Sequence, residues 1–60
     1  MFKLNVYKET INAIIILMQN EQNLFTNSTN ALSKAIAGAM VIAYQNSIDI
    51  LQNQMNSYNG

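Results

Sequence analysis

The sequence predicts an all-α fold: one small domain over residues 1–60, built as a two-helix hairpin. Three observations predict it. Proline is absent and glycine occurs only at Gly38 and Gly60, so little punctuates strands or tight turns. Two long segments carry apolar residues at alternating spacings of three and four, which is the helical period. Between them lies one cluster of Thr26, Asn27, Ser28, Thr29 and Asn30, side chains that bond to nearby backbone and favour caps and turns.

The first helix is expected over about residues 3–25. Leu4, Tyr7, Ile11, Ile14, Met18 and Phe25 form its apolar face, with Glu21 in the one missing step. Asn5, Asn12 and Gln19 recur every seven residues on the other face. The helix is therefore amphipathic. Val6, Leu17 and Leu24 widen the apolar arc to about half the circumference, more than one partner helix covers.

The turn is expected at about residues 26–30, with Thr29 or Asn30 as N-cap of the second helix. That helix is expected over about residues 31–57. Ala31, Ala35, Ala39, Ala43 and Ser47 recur every four residues, a ridge of small side chains that permits close helix approach. Leu32, Ile36, Met40, Ile50 and Leu51 form the expected bulky face, and Lys34, Gly38, Gln45, Gln52 and Asn56 a narrow polar edge. If the turn centres on Ser28, Ile14, Ile15 and Ile16 meet the small ridge at Ala39 and Ala43. Two other readings compete: one continuous helix, since the turn lacks Gly and Pro, and a cross-β former, since Asn and Gln accompany a β-branched run. Helical spacing in both segments argues against the second.

Composition excludes most chemistry. The chain has ten Asn and five Gln, but no His, Cys, Arg or Trp, and its net charge is zero. With Glu9, Glu21 and Asp49 as the only side-chain carboxylates, neither a nucleophile–base pair nor a structural zinc site can be assembled. Three lysines are too few to neutralise a run of phosphates. No catalytic residue, cofactor, metal or nucleic-acid partner is expected. A signal peptide is not expected either: Glu9 precedes the apolar run at 13–18, and amides rather than small residues follow it. The stretch 35–44 is free of charges and amides, but it rises only about 15 Å, half of the roughly 30 Å hydrocarbon core of a bilayer.

What remains is assembly. A lone core in a chain below about 70–80 residues rarely supplies more than about 3–5 kcal/mol without disulfides, metal or oligomerisation. The first two supports are absent, so the hairpin is expected to be stable only in a helical assembly. Its contacts are expected from Ile11, Ile14, Ile15 and Met18 of the first helix and Ala35, Ile36, Ala39, Met40 and Ala43 of the second. Amides would set register, as buried Asn does in coiled coils. Glu21, on an apolar face, is the candidate pH-sensitive contact, because an ionised carboxylate is costly there unless paired.

The run from Ala31 to Met40 (ALSKAIAGAM), then Tyr44-Gln45-Asn46-Ser47 and Gln52-Asn53-Gln54-Met55-Asn56, resembles the Reb (killing trait) family. Its members are subunits of bacterial R-bodies, proteinaceous ribbons that coil into rolls and extend as conditions change. The resemblance covers residues 31–56 and implies an insoluble polymer of small helical subunits, in some cases switched by acid, held as a cytoplasmic inclusion. The residues themselves suit equally a surface filament or virion coat, which would lie outside the cell or in the virion. The expected partner is the chain itself, alone or with related co-assembling subunits. The reading from a different class is a small membrane-active protein, a pore-former or toxin.

Overall fold

A computed structural model describes residues 2–59, with side chains described for residues 4–58. Met1 and Gly60, the ends of the expected domain, lie outside the described residues. Two helices make the fold: α1 (Phe2–Asn27) and α2 (Ala31–Asn59). The 26 residues of α1 rise about 39 Å at 1.5 Å each. The molecule measures 44 × 14 × 11 Å, so both helices run along the whole of a thin rod. The expected hairpin is the one observed.

Side chains rather than glycine make the reversal. Ser28 N–H still donates to Leu24 C=O at 2.9 Å, closing the last turn of α1. Its hydroxyl then accepts the Asn30 N–H at 3.3 Å and faces the Asn30 carbonyl at 3.4 Å. Asn30 Oδ1 accepts the Ser33 N–H at 3.0 Å, which is the N-cap bond to the third helical residue. Lys34 N–H donates to Asn30 C=O at 2.9 Å, the first α-helical bond of α2. Of the two candidate caps, Asn30 is the one used. Among the described residues none has positive φ, so the turn needs no glycine. Because Ser28 and Asn30 satisfy the chain ends, Thr26 and Asn27 stay helical and α1 runs two residues further than expected.

The helices meet along a heptad seam, the pattern that keeps one stripe of each helix facing the other. On α1 it runs through Leu4, Tyr7, Ile11, Ile14, Met18 and Glu21; on α2 through Lys34, Ala37, Val41, Tyr44, Ile48, Leu51 and Met55. All are at least half-buried. The α1 stripe is the one read from the sequence as far as Glu21, but Phe25, expected on it, is 43% exposed. The α2 stripe is not. Ile16, Ala39 and Ala43 are exposed, so the isoleucine run does not rest on the alanine ridge. Of the expected bulky face only Leu51 lies in the seam. Two causes combine. The turn centres on Thr29, placing residue i opposite roughly 58 minus i in this short-loop antiparallel pair. And α2 turns toward α1 the stripe that holds Tyr44, Ile48, Leu51 and Met55, which bury more area than the alanines would.

The resulting core is thin. Ile11, Ala37 and Ile48, at 6%, 2% and 4% exposure, are the buried hydrophobic residues among those described.

Candidate assembly surface

Two clefts between the helices near the turn identify the two sides of the rod. Leu24 and Ile36 flank the first, a cleft of about 470 Å³ that Glu21 and Ala37 also line. Thr26, Phe25 and Gly38 flank the second, of about 300 Å³. A step of seven residues returns nearly to the same side of a helix, so each cleft can be followed along the rod. On the first side Leu24 leads to Leu17, and Ile36 leads to Ala43 and Ile50. On the second, Thr26 leads to Gln19 and Asn12, and Gly38 leads to Gln45 and Gln52.

The hairpin is therefore two-faced. One face is broadly apolar: Leu17, Leu24, Leu32, Ile36, Met40 and Ile50 are all exposed there, Leu32 at 71%. The other carries the amides Asn12, Gln19, Gln45 and Gln52, with Gln45 Nε2 donating to Asp49 Oδ1 at 3.1 Å, but Phe25 and Ile42, at 43% and 65% exposure, interrupt it. On the apolar side the Ser47 hydroxyl donates to Ala43 C=O at 3.0 Å. That bond removes a free donor from the surface.

The residues expected to carry assembly contacts separate into two groups. Ile11 is buried between the helices, and Ile14, Ile15 and Met18 are half-buried in or beside that seam. These four hold the hairpin itself, and Ile11 has no surface left for a neighbour. Ala35, Ile36, Ala39, Met40 and Ala43 are exposed, and all but Ala35 lie on or beside the apolar face. Glu21 is half-buried at the edge of that face, lining its cleft. Asn27, within the Asn27-Ser28-Thr29 glycosylation pattern, is exposed at the end of α1.

One contact was not anticipated. The Phe25 ring lies over Gly38, where a Cβ would stand 3.1 Å from Phe25 Cε1 and 3.2 Å from Cδ1. Lys34 Nζ sits 4.6 Å from the centre of the same ring, a cation–π distance. The signal was present in the sequence: Gly38 is the only glycine within the helical segments, and a lone glycine in a helix marks close packing when it is not a cap.

Among the described residues no polar or charged side chain is buried, and no three His, Cys, Asp or Glu side chains gather into a metal-binding group. No helix among them is long and apolar enough to cross a membrane. Comparison with protein-family models, with curated proteins and with solved structures gives no match.

Proposed function

We propose that this chain is a non-catalytic structural subunit whose copies pack side by side into a filament, ribbon or tube. The supporting observation is surface. The hairpin exposes 4446 Å², whereas a compact monomer of 6.7 kDa should expose about 3,900 Å². Eleven large hydrophobic side chains among the described residues are exposed, side chains that gain by leaving water. Contiguous exposed apolar patches on soluble monomers rarely exceed a few hundred Å² unless they mark an interaction site.

Lateral packing of many copies buries the apolar faces in a continuous layer and supplies the core that one hairpin lacks. The amide faces then provide hydrogen bonds that fix register. An R-body-like ribbon is the version that the resemblance of residues 31–56 suggests, with Glu21 as its acid-sensitive contact. A surface filament or a coat is built on the same physics. A membrane-active protein would use the same apolar face against lipid. Such helices usually carry Lys and Arg on the polar face, where this chain has mainly amides.

Electron microscopy of the untagged protein, expressed alone and imaged near neutral pH and at about pH 5, tests the proposal. Regular ribbons, filaments or tubes are the expected result. Dispersed small species at both pH values, with leakage of dye from liposomes, would replace it with the membrane-active reading.

A further inference from the structure

We infer that the hairpin opens on self-association: the turn straightens, α1 and α2 join into one helix, and two such helices pair antiparallel about a two-fold axis at the former turn. The inference rests on the self-assembly reading and names the form in which copies first meet.

The turn permits it. Ser28, Thr29 and Asn30 include no Gly or Pro, and none has positive φ. The α1 ladder already reaches Ser28, whose N–H donates to Leu24 C=O, and the α2 ladder begins at Asn30, whose C=O accepts the Lys34 N–H. Joining them needs the helical bonds of residues 29–33, in exchange for the Ser28 hydroxyl bond and the Asn30 cap. Short hinge loops are where elements exchange between copies.

Straightening changes which stripe of α2 continues α1. In an unbroken helix the α1 seam passes from Glu21 to Phe25 and, one heptad later, meets Leu32. A heptad step keeps nearly the same side of a helix. Leu32 heads the exposed stripe of α2 through Ile36, Ala39, Ala43, Asn46 and Ile50. The α2 stripe that the hairpin buries, through Ala37, Tyr44 and Ile48, lies roughly a third of a turn away from this line. Phe25, 43% exposed in the hairpin, thus regains the seam to which its spacing assigns it.

The joined stripe mirrors itself. Positions 7, 11, 14, 18, 21 and 25 are matched by 50, 46, 43, 39, 36 and 32 about the Ser28–Thr29 bond. An isologous contact requires a patch complementary to itself. Antiparallel pairing sets Phe25 against Leu32 of the second copy, Met18 against Ala39, Ile14 against Ala43 and Tyr7 against Ile50. Bulky α1 side chains therefore meet the small ridge, where helices approach closely. Ile11 against Asn46 and Glu21 against Ile36 are the polar steps, and polar seam positions fix register. What covers the exposed α2 stripe is thus the α1 seam that already packs antiparallel on α2 within the hairpin. The exchange turns Tyr44, Ile48, Leu51 and Met55 outward. These bury more area than alanines do, so the single chain closes as a hairpin and opens only where further copies cover them.

The chain has no cysteine, so the double variant Asn12→Cys/Gln45→Cys takes spin labels at those two sites alone, both exposed. In the hairpin the sites are nearly level on helices whose axes stand about 10 Å apart. In the joined helix they stand about 50 Å apart along one axis. Labelled protein is mixed in urea with a large excess of unlabelled protein, diluted to assemble, and frozen for pulsed electron paramagnetic resonance, which then reads distances within one chain. The expected result is a short distance in dilute monomer and about 50 Å in the assembly. Ala31→Pro is the second variant. Its proline takes the first position of α2, where proline is tolerated, but would stand inside the joined helix and break it. It should keep the helix content of the hairpin and lose assembly. A short distance within assembled chains, or assembly of Ala31→Pro at the parent's concentration, overturns the opening and leaves self-assembly standing. An unmodified chain that sediments as monomer at every concentration overturns both.

Discussion

The Phe25 ring occupies the space that a side chain on Gly38 would need: a Cβ there would stand 3.1 Å from Phe25 Cε1. This contact ties the last turn of α1 to the second turn of α2, with Lys34 4.6 Å from the ring centre. Two effects oppose each other at Gly38. Alanine should gain about 1 kcal/mol of helix propensity. It must also push the ring by a few tenths of an ångström. Gly38→Ala is expected to leave stability within about 0.5 kcal/mol of the parent, the gain being spent on displacing Phe25. In a Phe25→Ala background the same substitution should stabilise by the full propensity difference of about 1 kcal/mol. Urea unfolding followed by circular dichroism at fixed protein concentration gives the coupling as a double-mutant cycle. Additive effects of the two substitutions would show that the ring does not rest on Gly38 in solution.

The turn makes a second prediction. Asn30 Oδ1 caps the Ser33 N–H at 3.0 Å, and with no capping glycine this bond carries much of the specification of where α2 begins. Asn30→Ala should cost about 1 kcal/mol, while Asn30→Asp should retain the cap and hold or raise stability. The same unfolding measurement decides it. Thr29→Ala serves as the comparison and should change stability by less than about 0.5 kcal/mol, as surface positions without such a role do.

These elements differ in how far they could be read from the chain. The hairpin and the α1 stripe were legible, because Leu4, Tyr7, Ile11, Ile14 and Met18 offer one dominant helical seam. The cap was narrowed to two neighbours by side-chain type alone. The rotation of α2 was not legible, for a physical reason. Between residues 35 and 44 that helix is apolar nearly all round, so two seams coexist: one through Ala37, Val41, Tyr44 and Ile48, the other through Ile36, Ala39, Ala43 and Ile50. Periodicity shows both and ranks neither. The choice rests on bulk in the C-terminal half of α2, where Tyr44, Ile48, Leu51 and Met55 share one stripe. The alanine ridge, expected to receive the isoleucines of α1, is thereby left on the outside. Sequence reasoning recognised residues that demand burial and misassigned which partner buries them.

The two faces should respond differently to charge. Leu17→Glu or Ile36→Glu places a carboxylate on the apolar face and should abolish assembly, because burying an unpaired charge there costs several kcal/mol. Helix content at high concentration should fall with it. Gln19→Glu or Gln52→Glu, on the amide face, should leave the first association step intact and at most weaken later growth. Analytical ultracentrifugation of the four variants separates the outcomes. Equal loss from both pairs would mean that assembly does not begin at the apolar face.

Glu21 makes the last prediction, and its sign follows from position. It is half-buried at the edge of the apolar face, in a cleft otherwise lined by Leu24, Asn27, Ser28, Ser33, Ile36 and Ala37. None of those six is titratable, so no charge in the cleft offsets the carboxylate. A neighbouring copy that covers the cleft removes water from the Glu21 carboxylate, and burying an unpaired charge is costly. Glu21→Gln removes the charge and nearly preserves the shape. Its critical concentration for assembly should drop below that of the parent. Light scattering against protein concentration measures both. A variant whose critical concentration matches the parent's would show that the cleft stays open to water in the assembly and that Glu21 is a solvated edge residue.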